Sequence, residues 1–159
     1  MKNKRLSPAA AYALGIGSAL AVGAVSALIS SRGIRGFEEL NKPPLSPPGW
    51  LFPVAWTALY ILMGIGAARV YLAHTDGTKA ALAVYAAQLI VNGLWSPIFF
   101  AAELRLAAFA WLIILIALSV WMFIRFRRVD RTAALLQIPY LVWLLFAAYL
   151  NLGVYLLNG

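Results

Sequence analysis

Long uncharged apolar runs divide the chain. They cover residues 8–31, 50–68, 80–102, 106–124 and 132–159, with charged or turn-forming residues between them. A helix needs about 20 apolar residues to cross the hydrocarbon layer. The pattern therefore predicts five transmembrane helices, over approximately 8–31, 50–72, 80–102, 106–126 and 132–157, in a single all-α membrane domain spanning 1–159. Open sheets are excluded, because lipid offers no partners to unpaired backbone groups. A membrane barrel is also a poor fit, since its strands alternate apolar and polar residues; stretches such as AWLIILIALSVWMFI do not alternate. The first run follows Lys2, Lys4 and Arg5 and resembles the start of a signal peptide, but it is longer than a usual h-region. We read it as a retained helix.

The polar positions within these runs carry more information. In the third run Tyr85, Gln88, Asn92, Trp95, Ser96 and Phe99 recur at steps of mostly three and four residues and share one helix face. Side-chain amides are costly against lipid, so Gln88 and Asn92 must face protein, water or a ligand. The opposite face carries Ala83, Ala87, Ile90 and Leu94, and its small residues suit close helix approach. We expect a homodimer interface there, at Ala83, Ala87 and Ile90. The fifth run repeats the pattern with Tyr140, Trp143, Ala147 and Asn151 on one stripe after Pro139, and the second places Trp56 and Tyr60 one turn apart after Pro53. Three helices thus offer aromatic groups to an interior. Such rings would grip a flat apolar ligand, with Gln88 and Asn92 supplying the few orienting hydrogen bonds. Equally, the rings would serve as core packing or as anchors at headgroup level.

Composition agrees with the pattern. Hydrophobic residues make up 64% of the chain and charged residues 11%, against roughly 45–50% and about 25% in soluble domains. Mean hydropathy is +0.85. The absence of cysteine excludes disulfides, thiolate metal sites and thiol nucleophiles.

The net charge of +8 is unevenly distributed. Lys2, Lys4, Arg5, Arg69, Lys79, Arg125, Arg127, Arg128 and Arg131 fall on one side of the membrane, and Arg32, Arg35, Lys42 and Arg105 on the other. Nine against four predicts a cytoplasmic N-terminus and an external C-terminus. The charge is then an orientation and anionic-lipid signal, and nucleic-acid binding is not expected.

One connection stands out. Residues 32–49 link the first two helices, and their last part opens the segment KPPLSPPGWLFPVAWTALY. Prolines hold themselves and their predecessors extended. Such a loop suits either a stiff lid over the bundle or a spacer ending at an interfacial Trp50.

Three segments carry a family resemblance: LNKPPLSPPGWLFPVAWTALY, YAAQLIVNGLWSPIFF and PYLVWLLFAAYLN. In order and spacing they resemble the translocator protein family, also called tryptophan-rich sensory proteins or, in animals, peripheral-type benzodiazepine receptors. The resemblance runs from about Phe37 to Asn151. It implies a five-helix bundle that forms a homodimer. It also implies binding of porphyrins such as protoporphyrin IX, of cholesterol-like lipids, and of synthetic isoquinoline carboxamides and benzodiazepines, in a pocket beneath the first loop. By motif, the ligand-contacting tryptophans fall on Trp56 and Trp143, the pocket asparagine on Asn92 and the small residue beside the ligand on Ala147.

The expected ligand-binding set is thus Phe37, Trp56, Tyr60, Gln88, Asn92, Trp95, Trp143 and Ala147. The chain departs from many members at Phe37, Pro44 and Leu45, where they carry Trp or Tyr, so ring contacts from the loop should be weaker. Tyr149 and Tyr155 have no basic residue after them, so the vertebrate cholesterol motif is incomplete and a bacterial cell membrane suits the chain better.

No required cofactor and no metal site is expected; the porphyrin is a ligand. His74 stands beside Asp76 in a polar turn, and Glu103 and Arg105 lie in a loop. If the family's light- and oxygen-dependent porphyrin breakdown occurs here, Trp56 and Trp143 would take part and the porphyrin's own photochemistry would drive it. Porphyrin sensing, regulation or transport ranks first, degradation second, and a generic small lipid or metabolite transporter third.

Overall fold

The computed structural model describes residues 6–159, apart from the side chains of residues 32, 34 and 35. Lys2, Lys4, Arg5 and the side chains of Arg32 and Arg35, which the charge argument uses, lie outside the described residues. Helix α1 (Pro8–Glu38) begins with the Ser7 hydroxyl accepting from the Ala10 amide at 3.3 Å, and with Pro8 where a missing N–H costs nothing. Helix α2 (Leu51–Ala73) stops at His74, whose backbone is left-handed at φ 49°. Helix α3 (Thr78–Ser96) runs into a π-helical turn, Pro97–Ala101, where the Ala102 amide reaches the Pro97 carbonyl. Pro97 cannot donate, and the widened turn accommodates the break.

Helix α4 (Arg105–Val129) is followed by the short α5 (Arg131–Leu135) and by α6 (Ile138–Asn158). α5 and α6 together make the last span, interrupted just before Pro139. Among the described residues, five segments are long and apolar enough to cross a membrane: Pro8–Ser31, Leu51–Ala73, Thr78–Ala101, Arg105–Val129 and Arg131–Asn158. The protein is an all-α bundle of five membrane-crossing helices.

The first connection differs from expectation. It does not occupy residues 32–49, because α1 continues to Glu38 and the loop is only residues 39–50. Charge marked the edge of the apolar run, but the first proline that stops a helix is Pro43. Gly33 also holds the extension in place. Its backbone lies against the Phe100 carbonyl so closely that a Cβ would not fit. The loop then docks along the end of α6. Pro43 is buried against Gly153, the Tyr149 hydroxyl donates to the Pro44 carbonyl at 2.7 Å, and Asn41 and Asn158 exchange hydrogen bonds of 3.0 and 2.9 Å.

Between helices, lipid supplies no hydrophobic drive, so close packing of small residues carries the contact. α1 and α2 meet at Gly15 and Gly64, where a Cβ on Gly15 would sit 2.5 Å from the Gly64 carbonyl oxygen. Met63, Leu112, Leu115, Met122, Phe126 and Leu144 fill the core behind them. At the far end Arg69 pairs with Asp130 at 2.9 Å, tying α2 to the cap of α5. Burial pushes the Asp130 carboxyl up, but the Ala133 amide and Arg69 outweigh it and hold the group below its usual range.

The glycine contact is testable. Gly64→Val should lower the melting temperature measured by circular dichroism in detergent, since overpacking costs about 1–3 kcal/mol even where side chains can yield, and here backbone meets backbone. Gly17, with open space around its Cβ position, is the control; Gly17→Ala should leave the protein unchanged or slightly more stable. A Gly64→Val protein melting with the wild type would show that α1 and α2 do not approach there.

Candidate functional site

The polar face of α3 turns inward as its spacing predicts. Gln88 is fully buried and Asn92 is 3% exposed, and both are held by tyrosines from neighbouring helices. The Tyr60 hydroxyl on α2 donates to Asn92 Oδ1 at 2.7 Å. Asn92 Nδ2 donates to the Tyr140 hydroxyl on α6 at 2.7 Å, and that hydroxyl donates to Gln88 Oε1 at 2.9 Å. Gln88 Nε2 points to the Met63 sulfur at 3.8 Å. The result is one continuous chain, Tyr60–Asn92–Tyr140–Gln88, joining α2, α3 and α6 in the interior.

Aromatic rings lie against this chain. Trp56 packs on Tyr60, with centroids 5.6 Å apart, and meets Tyr140 and Trp143 edge-on at 6.4 Å each. Phe52 meets Trp143 edge-on at 6.1 Å, and Phe146 lies 5.7 Å beyond Trp143. Trp56 and Trp143 are half-buried, whereas Tyr140 is fully buried; Ala147 is buried beneath the cluster, one turn from Trp143. The rings lie between α2 and α6, while cavities at the end of α1 and beside Asp130 are lined by other side chains.

Of the expected ligand-binding residues, Trp56, Tyr60, Gln88, Asn92, Trp143 and Ala147 come together in this one centre. Phe37 does not, and Trp95 packs against the edge of this core while also joining a second cluster. Phe37 is not a loop residue; it closes the last turns of α1 and meets Phe99 at 5.7 Å and Phe100 at 5.2 Å. Trp95 stacks on Phe99 at 5.4 Å, and its Nε1 donates to Asn151 Oδ1 at 3.3 Å. Both belong to a second aromatic cluster around the π-helical turn. The physical cause is the extension of α1, which carries Phe37 past the loop mouth. Ala83, Ala87 and Ile90 face out from the bundle, with Ile90 62% exposed.

Two residues outrank what their spacing suggests. Tyr140 is the hub of the polar chain, not merely one ring on a stripe. Its position three residues before Trp143, on the stripe that also carries Asn151, was the available signal. Phe52, four residues before Trp56 in the Phe-Pro-x-x-Trp motif, closes over Trp143.

The fold and this centre define a multi-pass helical membrane protein with a buried amide–phenol chain lined by tryptophans between three of its helices. Residues 15–157 match the model of the TspO/MBR family, and the chain belongs to that family. It is 42% identical over 125 residues to the tryptophan-rich sensory protein of Cereibacter sphaeroides, a match covering 77% of this chain and 76% of that protein. It is 36% identical over 149 residues to the tryptophan-rich protein TspO of Chlorobaculum tepidum, covering 92% and 94%. The similarity extends to the translocator protein of Ovis aries, at 37% over 126 residues, covering 77% and 75%.

The hub can be tested by unfolding in detergent. Tyr140→Phe removes the hydroxyl that serves both amides and should destabilise the protein by about 1–3 kcal/mol for each buried group left unpaired. Adding Gln88→Leu removes one orphan, so the double variant should be less destabilised than the sum of the single changes. Strict additivity would show that the two side chains do not interact.

Proposed function

We propose that the chain binds a flat, apolar, tetrapyrrole-type ligand between α2, α3 and α6, in the sensing, regulation or transport of porphyrins. One observation carries the reading: half-buried Trp56 and Trp143 stand edge-to-face with each other beside a buried hydrogen-bonded polar chain, which Trp56 meets at Tyr60 and Tyr140. Rings of this kind suit the faces of a large π-system, and Asn92 and Gln88 offer the few directional groups such a ligand needs. The names of its relatives, a sensory protein and a translocator protein, agree in kind.

In this reading the rings move to admit the ligand. Phe52 and Trp143 part, and the ligand replaces ring-on-ring contacts with contacts of its own. Asn92 and Gln88 are already bonded to tyrosines whose O–H groups are spent on them, so the ligand donates to a hydroxyl oxygen, accepts from a spare amide N–H, or displaces a tyrosine. Its affinity therefore rests chiefly on the tryptophans.

Titration with protoporphyrin IX, followed by tryptophan quenching, tests this. Aromatic pairs contribute about 0.5–1.5 kcal/mol beyond burial, so Trp56→Phe and Trp143→Phe should weaken binding by only several-fold. Trp→Ala at either position also loses buried area, at roughly 25 cal/mol per Å², and should cost tenfold or more. Ala147→Trp should block the site sterically. If folded Trp143→Ala and Ala147→Trp proteins both bind at wild-type affinity, the ligand sits elsewhere.

We also propose that the N-terminus is cytoplasmic, because Arg69, Arg125, Arg127, Arg128 and Arg131 gather at the end of the bundle opposite Arg105 and Lys42. Reporter fusions at each terminus decide it. A C-terminal reporter active only in the cytoplasm would reverse the orientation.

A further inference from the structure

The second aromatic cluster borders a cavity that the tetrapyrrole reading does not use. It holds about 150 Å³ and opens between the end of α1, the π-helical turn and the loop into α4. Phe37, Phe99 and Phe100 form apolar walls, Gly36 lies on the rim, and Glu103 and Arg105 form the polar edge.

The two charged residues are unequal partners. The Arg105 side chain is 18% exposed and that of Glu103 is 68% exposed, and they approach only to 4.0 Å. A charge-assisted hydrogen bond is about 2.7–2.9 Å long. Arg105 has therefore given up much of its water for a distant counter-charge that water screens. Its planar fork of donors matches an acceptor with two oxygens. The backbone that carries it is held from α6, where Asn151 Nδ2 donates to the Arg105 carbonyl at 2.8 Å. A second cation stands nearby, with the Lys42 ammonium 5.0 Å from the centre of the Phe37 ring.

Depth and lining narrow the occupant. Ala101 and Arg105 are the end residues of two membrane-crossing segments, which puts the cavity at the level of lipid headgroups. The opening is walled by the rings of Phe37, Phe99 and Phe100 with Arg105 at its edge, and admits a phosphate with adjoining carbons. We propose that this cavity is a site for the phosphate headgroup of an anionic membrane phospholipid. Arg105 grips the phosphate oxygens, Lys42 adds positive potential, and the phenylalanine rings cover the adjoining glycerol and acyl carbons.

Native mass spectrometry of the full chain in detergent, titrated with phosphatidylglycerol and separately with phosphatidylcholine, tests this. The wild type should bind one phosphatidylglycerol in preference to phosphatidylcholine. Arg105→Gln should weaken that binding roughly tenfold to hundredfold, the effect of losing a charged hydrogen bond. Gly36→Leu should fill the cavity and produce a similar loss with every charge retained; a Cβ at Gly36 meets nothing within 4 Å, so this variant should fold. Thermal unfolding identifies folded variants, and either folded variant decides alone. Wild-type affinity for phosphatidylglycerol in a folded Arg105→Gln or Gly36→Leu protein overturns the proposal, as does equal affinity of the wild type for the two lipids. Displacement of phosphatidylglycerol by millimolar inorganic phosphate would assign the cavity to a free anion and overturn the lipid assignment.

Discussion

An amide buried in a membrane protein has neither water nor lipid to bond with, and much of this architecture follows from how Asn92 meets that constraint. It accepts from Tyr60 and donates to Tyr140, both at 2.7 Å. An orphaned polar group there would cost several kcal/mol, so α2, α3 and α6 are held in one rotational setting. That setting determines where the tryptophans go. Trp56 lies one turn before Tyr60 and Trp143 nearly one turn after Tyr140, and fixing the two tyrosines brings the indoles to 6.4 Å. The aromatic centre is in this sense a consequence of the hydrogen-bonded chain.

The rest of the bundle is arranged to permit this. Three helices converge on a crowded polar centre, so the fourth partner must come close without contributing bulk. α1 does so through glycine: a Cβ at Gly23 would clash with the ring of Tyr60, and Gly15 lies against Gly64. The contribution of α1 is proximity, and most of its other residues face outward. At the loop end Asn151 performs a smaller version of the task of Asn92. It accepts from Trp95 and donates to the Arg105 carbonyl, tying α3 and α4 to α6.

How much of this was legible in the sequence depended on whether a feature was local. Span number followed from run length, and the inward face of α3 followed from the spacing of Gln88, Asn92 and Trp95, because lipid penalises the alternative. The end of α1 was not legible. The apolar run stops at Ser31, but a charged residue ends a membrane span without ending a helix, and the two glycines that follow, Gly33 and Gly36, weaken the helix without breaking it. Phe37 was therefore assigned to the wrong neighbourhood. Trp95 shares a helix face with Asn92, but the axial distance between them places it between the two clusters, against the core on one side and Phe99 on the other. Nor could spacing reveal that both amides are already satisfied, since the tyrosines that satisfy them come from helices distant in the chain.

That satisfaction changes what the centre can do. Free amides would select ligands by hydrogen bonding, because a ligand lacking the matching group would leave them unpaired. Here the tyrosine hydroxyls make those bonds internally, so an apolar ligand that fails to bond Asn92 imposes no such penalty. In the proposed reading, discrimination would rest on shape and on the tryptophan faces, which would tolerate many flat molecules. A ligand that does bond an amide gains only the difference between its hydrogen bond and the one it displaces, which is small in net terms. If the proposed ligand binds here, the centre would be broad in its choice of flat apolar partners, its selectivity coming from the walls, with Ala147 setting the depth available behind Trp143.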